Sequence, residues 1–241
     1  VYMLPQGMFS VAVATVLFPQ LARLAARGDH QGLRATTGVG LRQIALLLIP
    51  AGAAMLALSE PIVRLVYERG EWTAESTQLT GEALFWFGVS LPFSGFVLML
   101  TRAFFSLQRP WVPTTLAVGS LAINAVLSYL LSGPFGISGI VIGTAVSNAA
   151  LVVAEALWLG GLQIHWPRIA AMLLGGAALA GVTRAVWLGL DELLGRALLA
   201  QVVSVGVALA AGAAAYAAVV LGLRVPEARQ VIALLRERRR R

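Results

Sequence analysis

The 241-residue sequence contains no cysteine and no lysine, only two histidines, and charged residues make up just 12% of it. Without cysteine there is neither a disulfide framework nor a thiolate metal site. His30 and His165 lie far apart along the chain, so a metal hydrolase has no ligand set to work with. No glycine-rich phosphate loop, no paired carboxylates within an apolar stretch and no Ser-His-Asp set occur, so no catalytic residue and no metal are expected, and the reading is not an enzyme. Soluble domains carry about a quarter charged residues. The low charge here, with 59% hydrophobic residues and a mean hydropathy of +0.82, excludes an ordinary soluble domain and places the chain in a membrane.

What the sequence does have is long apolar runs. A hydrocarbon core about 30 Å thick asks for roughly 20 such residues per helix, and seven windows qualify, at 3–22, 38–58, 83–105, 111–132, 137–161, 169–190 and 197–223. Pro5 and Pro19 inside the first window would kink a buried soluble helix, but a membrane span tolerates them because packed neighbours re-satisfy the freed backbone groups. Short connections separate the windows: "SGPFGISG" at 132–139 has turn chemistry, and "QIHWPR" at 163–168 sets a proline before the next helix. No internal repeat or low-complexity linker divides them, so residues 1–223 read as one all-α polytopic bundle of about seven transmembrane helices, followed by a basic tail at 224–241.

Every one of the 18 basic residues is arginine, and the net charge is +7. They cluster beside the apolar runs, where anionic lipid headgroups lie, so anionic membrane lipids rather than nucleic acid are the expected partner. Their distribution also orients the bundle. Fourteen fall in one alternating set: Arg23, Arg27, Arg34 and Arg42, then Arg102 and Arg109, then Arg168, then seven from Arg224 to Arg241. The opposite set has Arg64, Arg69 and Arg196, with Arg184 left inside a window. The first set marks the cytoplasmic side, which puts the C-terminus in the cytoplasm and the connection "SEPIVRLVYERGEWTAESTQ" outside. In the tail, a helix starting after Pro226 would offer Val231, Ile232, Leu234 and Leu235 to the inner leaflet; a disordered basic end that fixes topology is the alternative.

Several of these segments are familiar in combination. "LPQGMFSVAVATVLFPQLARLAARGD" resembles the Pro-x-Gly helix and cytoplasmic stretch of the MurJ/MviN family of lipid II flippases, and "RLVYERGEWTAEST" resembles that family's "LFxRGxFTxxxT" connection. "TRAFFSLQRPWVPTTLAV" and "GISGIVIGTAVSNAAL" follow in the same order and spacing. Arg109 departs from the pattern, standing where the family often has aspartate, as do Pro110 and Trp111. The resemblance implies a two-lobe transporter of fourteen helices in the bacterial cytoplasmic membrane, belonging to the multidrug/oligosaccharidyl-lipid/polysaccharide superfamily. Seven spans with a cytoplasmic C-terminus match its second lobe. Val1 also opens the sequence without an initiator methionine, so the chain is read as a C-terminal half whose N-terminal lobe lies outside it. The implied activity is flipping of lipid II, a lipid-linked diphosphate oligosaccharide, by alternating access during cell-wall synthesis. A polysaccharide-lipid flippase, a cation-coupled drug exporter and a non-transporting scaffold of cell-wall assembly are the rivals.

Candidate residues follow from polarity at membrane depth. Pro5, Gln6 and Gly7 in the first span, and Arg102 at the inner end of the third, are candidates for lining a substrate cavity. A kinked, closely packed helix explains Pro5 and Gly7 as well, and a topology anchor explains Arg102. Asn124 and Ser128 stand one turn apart on the fourth span, with Thr144 inside the fifth; such oxygens bridge helices or hold a cation. The resemblance adds a sodium site between these two helices that includes the backbone of Ile140, but Ser128 stands where a carboxylate is wanted. No cofactor is expected, and transport would draw on sodium or the membrane potential. Glu155 and Arg184 are the deepest charges, which calls for a partner, a wet cavity or snorkelling to the interface. Small residues at 173–181 and 205–218 predict close helix packing; the resemblance adds a groove there for the lipid tail.

Overall fold

The computed structural model describes residues 2–67, 73–163, 165–195 and 198–229. Among them every regular element is helical. Six continuous helices are long and apolar enough to cross a membrane. We label them α1 (Met3–Ala26), α2 (His30–Tyr67), α3 (Ala74–Ser106), the α4–α5 pair (Trp111–Leu159), α6 (Trp166–Leu194) and α7 (Leu198–Gly222). Residues 226–229 begin a further helical turn; the tail strip Val231–Leu235 lies outside the described residues.

The pair Trp111–Leu159 is a hairpin. As one rod its 49 residues would run roughly 74 Å at 1.5 Å per residue, far beyond a bilayer core. At Gly136 the backbone has φ 57° and ψ −133°, a region open essentially to glycine alone, and the chain reverses there. The arms, α4 (111–135) and α5 (137–159), then run antiparallel: Ser120 bonds the carbonyl of Ser147, Asn124 bonds Thr144, and Ser128 bonds the carbonyl of Ile140. Among the described residues this makes seven helical segments, each long enough to cross a hydrocarbon core.

The other irregularities also have causes. In α1 a π turn, Gln6–Ser10, follows Pro5; the proline occupies the first turn, where its missing N–H is no loss. In α2 the backbone leaves helical geometry at Leu58 (φ −120°, ψ 23°). Pro61 lies three residues on, and it can neither donate to the turn before it nor avoid crowding it.

The chain divides into two compact units. The first holds Val1–Leu48 and Trp86–Ile164, hence α1, the first part of α2, the second part of α3, and the α4–α5 hairpin. Its core contains Leu21, Leu33, Ile44, Leu48, Leu91, Met99 and Leu100, all buried. Gly95 sits where a Cβ would strike Leu48, Ile44 and Ser10, so α1, α2 and α3 meet closely there. The second unit holds Ile49–Phe85 and His165–Arg241. Ala57, Leu58, Trp187, Val205 and Ala208 form a core within it. The small residues of α6 and α7 do pack closely. Gly175 faces Tyr216 and Val220, and Gly212 lies against Thr183 and the Leu179 carbonyl, an approach only small residues permit.

Candidate functional site: polar groups inside the helices

Polar side chains at membrane depth need partners, because hydrocarbon offers none. In the first unit the partners are arranged in two groups. The first lies inside the hairpin. Asn124 donates from Nδ2 to Thr144 Oγ1 at 3.0 Å and to Ser147 Oγ at 3.2 Å. Ser128 Oγ lies 3.4 Å from both Asn124 Oδ1 and the Ile140 carbonyl, to which Thr144 also donates at 3.2 Å. Ser147 donates to the Thr144 carbonyl at 3.1 Å, and Ser120 to the Ser147 carbonyl at 3.0 Å. The structure thus brings Asn124, Ser128, Ile140 and Thr144 together and adds Ser120 and Ser147, which the sequence reading did not include.

Whether this cluster fits a sodium ion depends on its donors. Four neutral oxygens converge, but each is engaged in the hydrogen bonds just given, and no carboxylate joins them. Among the described residues, no group of three or more His, Cys, Asp or Glu forms anywhere. Among the described residues the arrangement is a hydrogen-bonded seam between α4 and α5, with no carboxylate beside it to balance a cation.

The second group joins α5 to α3. Asn148 donates to Ser90 Oγ at 3.1 Å and to Ser94 Oγ at 3.3 Å. Two turns along, Thr101 Oγ1 donates to Glu155 Oε1 at 3.1 Å. Glu155 is 1% exposed, so its carboxylate stays inside the first unit and does not snorkel. Its second oxygen, Oε2, is buried without a hydrogen-bond partner. Asn148 and Glu155, seven residues apart, lie on one face of α5, and Ser90 and Ser94, four apart, on one face of α3; the sequence reading named only Glu155 of these.

The remaining candidates are dispersed. Gln6 and Gly7 lie in the π turn of α1 on a face with Met3, Leu4 and Met8 exposed, and among the described residues nothing beyond its own helix turn lies within 4 Å of where a Gly7 side chain would start. Arg102 stacks its guanidinium 5.6 Å from the ring centre of Phe18. Phe18 is 12 residues past Gln6, so about 18 Å of α1 separates the Arg102 contact from the Pro5–Gly7 turn. Arg184 is exposed on α6, its guanidinium 4.9 Å from the ring centre of Trp187.

Comparison with known proteins bears on what such a chain does. The family described as "Lipid II flippase MurJ" matches residues 1–183. The chain is 36% identical over 171 residues to the "Probable lipid II flippase MurJ" of Rhizobium meliloti (strain 1021), covering 70% of this chain and 31% of that protein. It is 27% identical over 198 residues to the protein of that name from Vibrio cholerae, covering 76% and 37%. A solved structure, "Lipid II flippase MurJ, inward closed conformation", superposes with a TM-score of 0.69 at 20% identity, over 88% of this chain and 44% of that one; this similarity speaks to the fold. The chain spans about a third of the length of these two relatives.

Proposed function

The chain belongs to the lipid II flippase MurJ family, and on that premise we propose that it forms the C-terminal lobe of a transporter carrying lipid-linked peptidoglycan precursor to the outer face of the cytoplasmic membrane. The match of the family over residues 1–183 carries this reading. Multi-pass membrane insertion follows from the seven crossing segments; we place the arginine-rich connections and the C-terminus inside.

Two physical demands shape the mechanism we propose. The polyprenyl tail keeps its place in hydrocarbon, since each buried methylene is worth about 0.8 kcal/mol, so only the diphosphate head needs a polar path. Rocking of two lobes about a central cavity supplies that path. The open face of α1 at Gln6 and Gly7 is the surface we assign to it, whereas Arg102 anchors the inner end of α3. The drive we propose is the membrane potential. A charge crossing 100 mV gains about 2.3 kcal/mol, and an anionic head moving outward from a negative interior moves in the favourable direction. The seven arginines from Arg224 to Arg241 hold the C-terminal end to anionic lipid, each worth about 1 kcal/mol near such a surface.

The test is depletion of the intact protein in cells while lipid-linked precursor at the outer surface is followed. Loss of surface precursor with accumulation inside is expected; undiminished arrival refutes the assignment.

A further inference from the structure

We propose that the first unit carries a binding site for the phosphate headgroup of an anionic phospholipid, in a cavity of about 620 Å³ where α1, α3 and α5 end and α2 and α4 begin. Its walls include Phe18 and Ala22 of α1 and Trp158 of α5, and its charged side chains are Arg34 and Arg109, with His30 beside them. Among the described residues, no aspartate or glutamate lines it. Asp29, next in sequence to His30, is turned to its own helix, where Oδ1 accepts the Gly32 N–H at 2.8 Å. The cavity therefore pairs apolar walls with unneutralised positive charge.

Arg34 is held in place rather than free to swing away. Its Nε donates to the Leu159 carbonyl at 3.1 Å, which leaves both terminal nitrogens without a protein partner among the described residues. Gly161, at φ +60°, passes so close that a Cβ there would lie 3.4 Å from Arg34 Nη1. The loop after α5 thus fixes the guanidinium in position. A planar, pre-positioned guanidinium matches phosphate oxygens in geometry and charge, and apolar walls strengthen the attraction by excluding water. Arg102, stacked on the wall residue Phe18, adds positive charge nearby.

The combination selects among phosphates. A free phosphate ion would use the cations and leave the walls empty. A phosphatidylcholine headgroup would bring a trimethylammonium against a cationic rim. A phosphodiester of net negative charge whose glycerol and first methylenes lie along Phe18, Ala22 and Trp158 satisfies both. The location suits it too, because this is the arginine-rich end that we place at the inner leaflet; that placement belongs to the reading above, but binding in detergent does not depend on it. The two ideas can therefore fail separately.

The experiment titrates the purified full-length protein in mild detergent with phosphatidylglycerol, phosphatidylcholine and inorganic phosphate, with occupancy read by native mass spectrometry. Phosphatidylglycerol is expected to bind at least about tenfold more tightly than phosphatidylcholine, because the two share the phosphodiester and only the latter sets a trimethylammonium against the cationic rim, and to resist displacement by inorganic phosphate. Arg34→Gln removes the central group but also loosens Leu159. Arg109→Gln, whose side chain bonds no protein group among the described residues, and Ala22→Phe, which fills the cavity without changing charge, should each abolish the preference while leaving the lipid-free unfolding temperature in place. Equal binding of the two lipids, a preference that survives both of these variants, or displacement by inorganic phosphate at the lipid's own affinity overturns the proposal.

Discussion

The reversal between α4 and α5 makes a quantitative prediction, because two glycines close together in sequence face opposite surroundings. At Gly139 an added Cβ would collide with the carbonyl oxygen and carbon of Leu131 across the hairpin. These are backbone atoms, so no rotamer change relieves the clash and the arms must part. Parting them strains the Ser128 bond to the Ile140 carbonyl at 3.4 Å and the Asn124 bond to Thr144 at 3.0 Å. Overpacking of this kind costs about 1–3 kcal/mol, and interhelical hydrogen bonds in membranes are worth about 0.6 kcal/mol each. Gly139→Ala should therefore destabilise by about 2–4 kcal/mol. Gly133 lies on the same hairpin, with an ordinary φ and, among the described residues, nothing beyond its own helix turn within 4 Å of where a Cβ would stand. Gly133→Ala should be neutral or stabilise by up to about 1 kcal/mol through helix propensity. Unfolding of the full-length protein in a denaturing-detergent titration measures both. If the two variants unfold together, the close antiparallel hairpin is wrong.

Three further outcomes follow from named contacts. Gly212→Ala should cost about 1–3 kcal/mol, because its Cβ meets the Thr183 hydroxyl, and Thr183→Ala in the same chain should recover most of it in a double-mutant cycle. Asn124→Leu removes donors to Thr144 and Ser147 and should destabilise by about 1–2 kcal/mol; on our reading of the cluster, sodium should not alter the stability of either form. Thr101→Val strips Glu155 of its hydrogen-bond donor, leaving a buried carboxylate with neither oxygen satisfied, and should cost about 1–3 kcal/mol, whereas Ser76→Ala on the exposed start of α3 should cost far less.

The all-helical membrane fold was legible because hydrocarbon imposes a length and a polarity on every crossing, and both are written locally. The hairpin was legible for the same reason: "SGPFGISG" breaks a run that would otherwise be too long, and the reversal falls at one of its glycines, Gly136. Helix ends were less so. α2 extends from His30 to Tyr67, well beyond the window 38–58, since polar residues such as Gln31, Arg34 and Glu60 continue a helix outside hydrocarbon without a hydropathy signal. The Asn124–Thr144 cluster was within reach because its members lie on consecutive helices. The seam of Ser90, Ser94 and Asn148, the Thr101–Glu155 bond, and the hold of Leu159 on Arg34 were not. They join residues 54, 58 and 125 apart, and the periodicity of either helix says nothing about which neighbour it meets. Of the cavity candidates read from the sequence, Pro5, Gln6 and Gly7 are in the first turns of α1, and Arg102 is on α3, stacked on Phe18 farther along α1.

Seven crossings with the arginine-rich connections inside underlie both the fold and the proposed transport. The absence of native cysteine in this sequence makes single-cysteine labelling of the full-length protein direct, provided any cysteine elsewhere in it is replaced. With a membrane-impermeant maleimide on intact cells, cysteines at Thr73, Gly133 and Glu192 should react, while those at Gln31 and Gln163 should react only after the membrane is opened. Labelling of Gln31 or Gln163 from outside, or of Thr73 and Gly133 only from opposite sides, would contradict it.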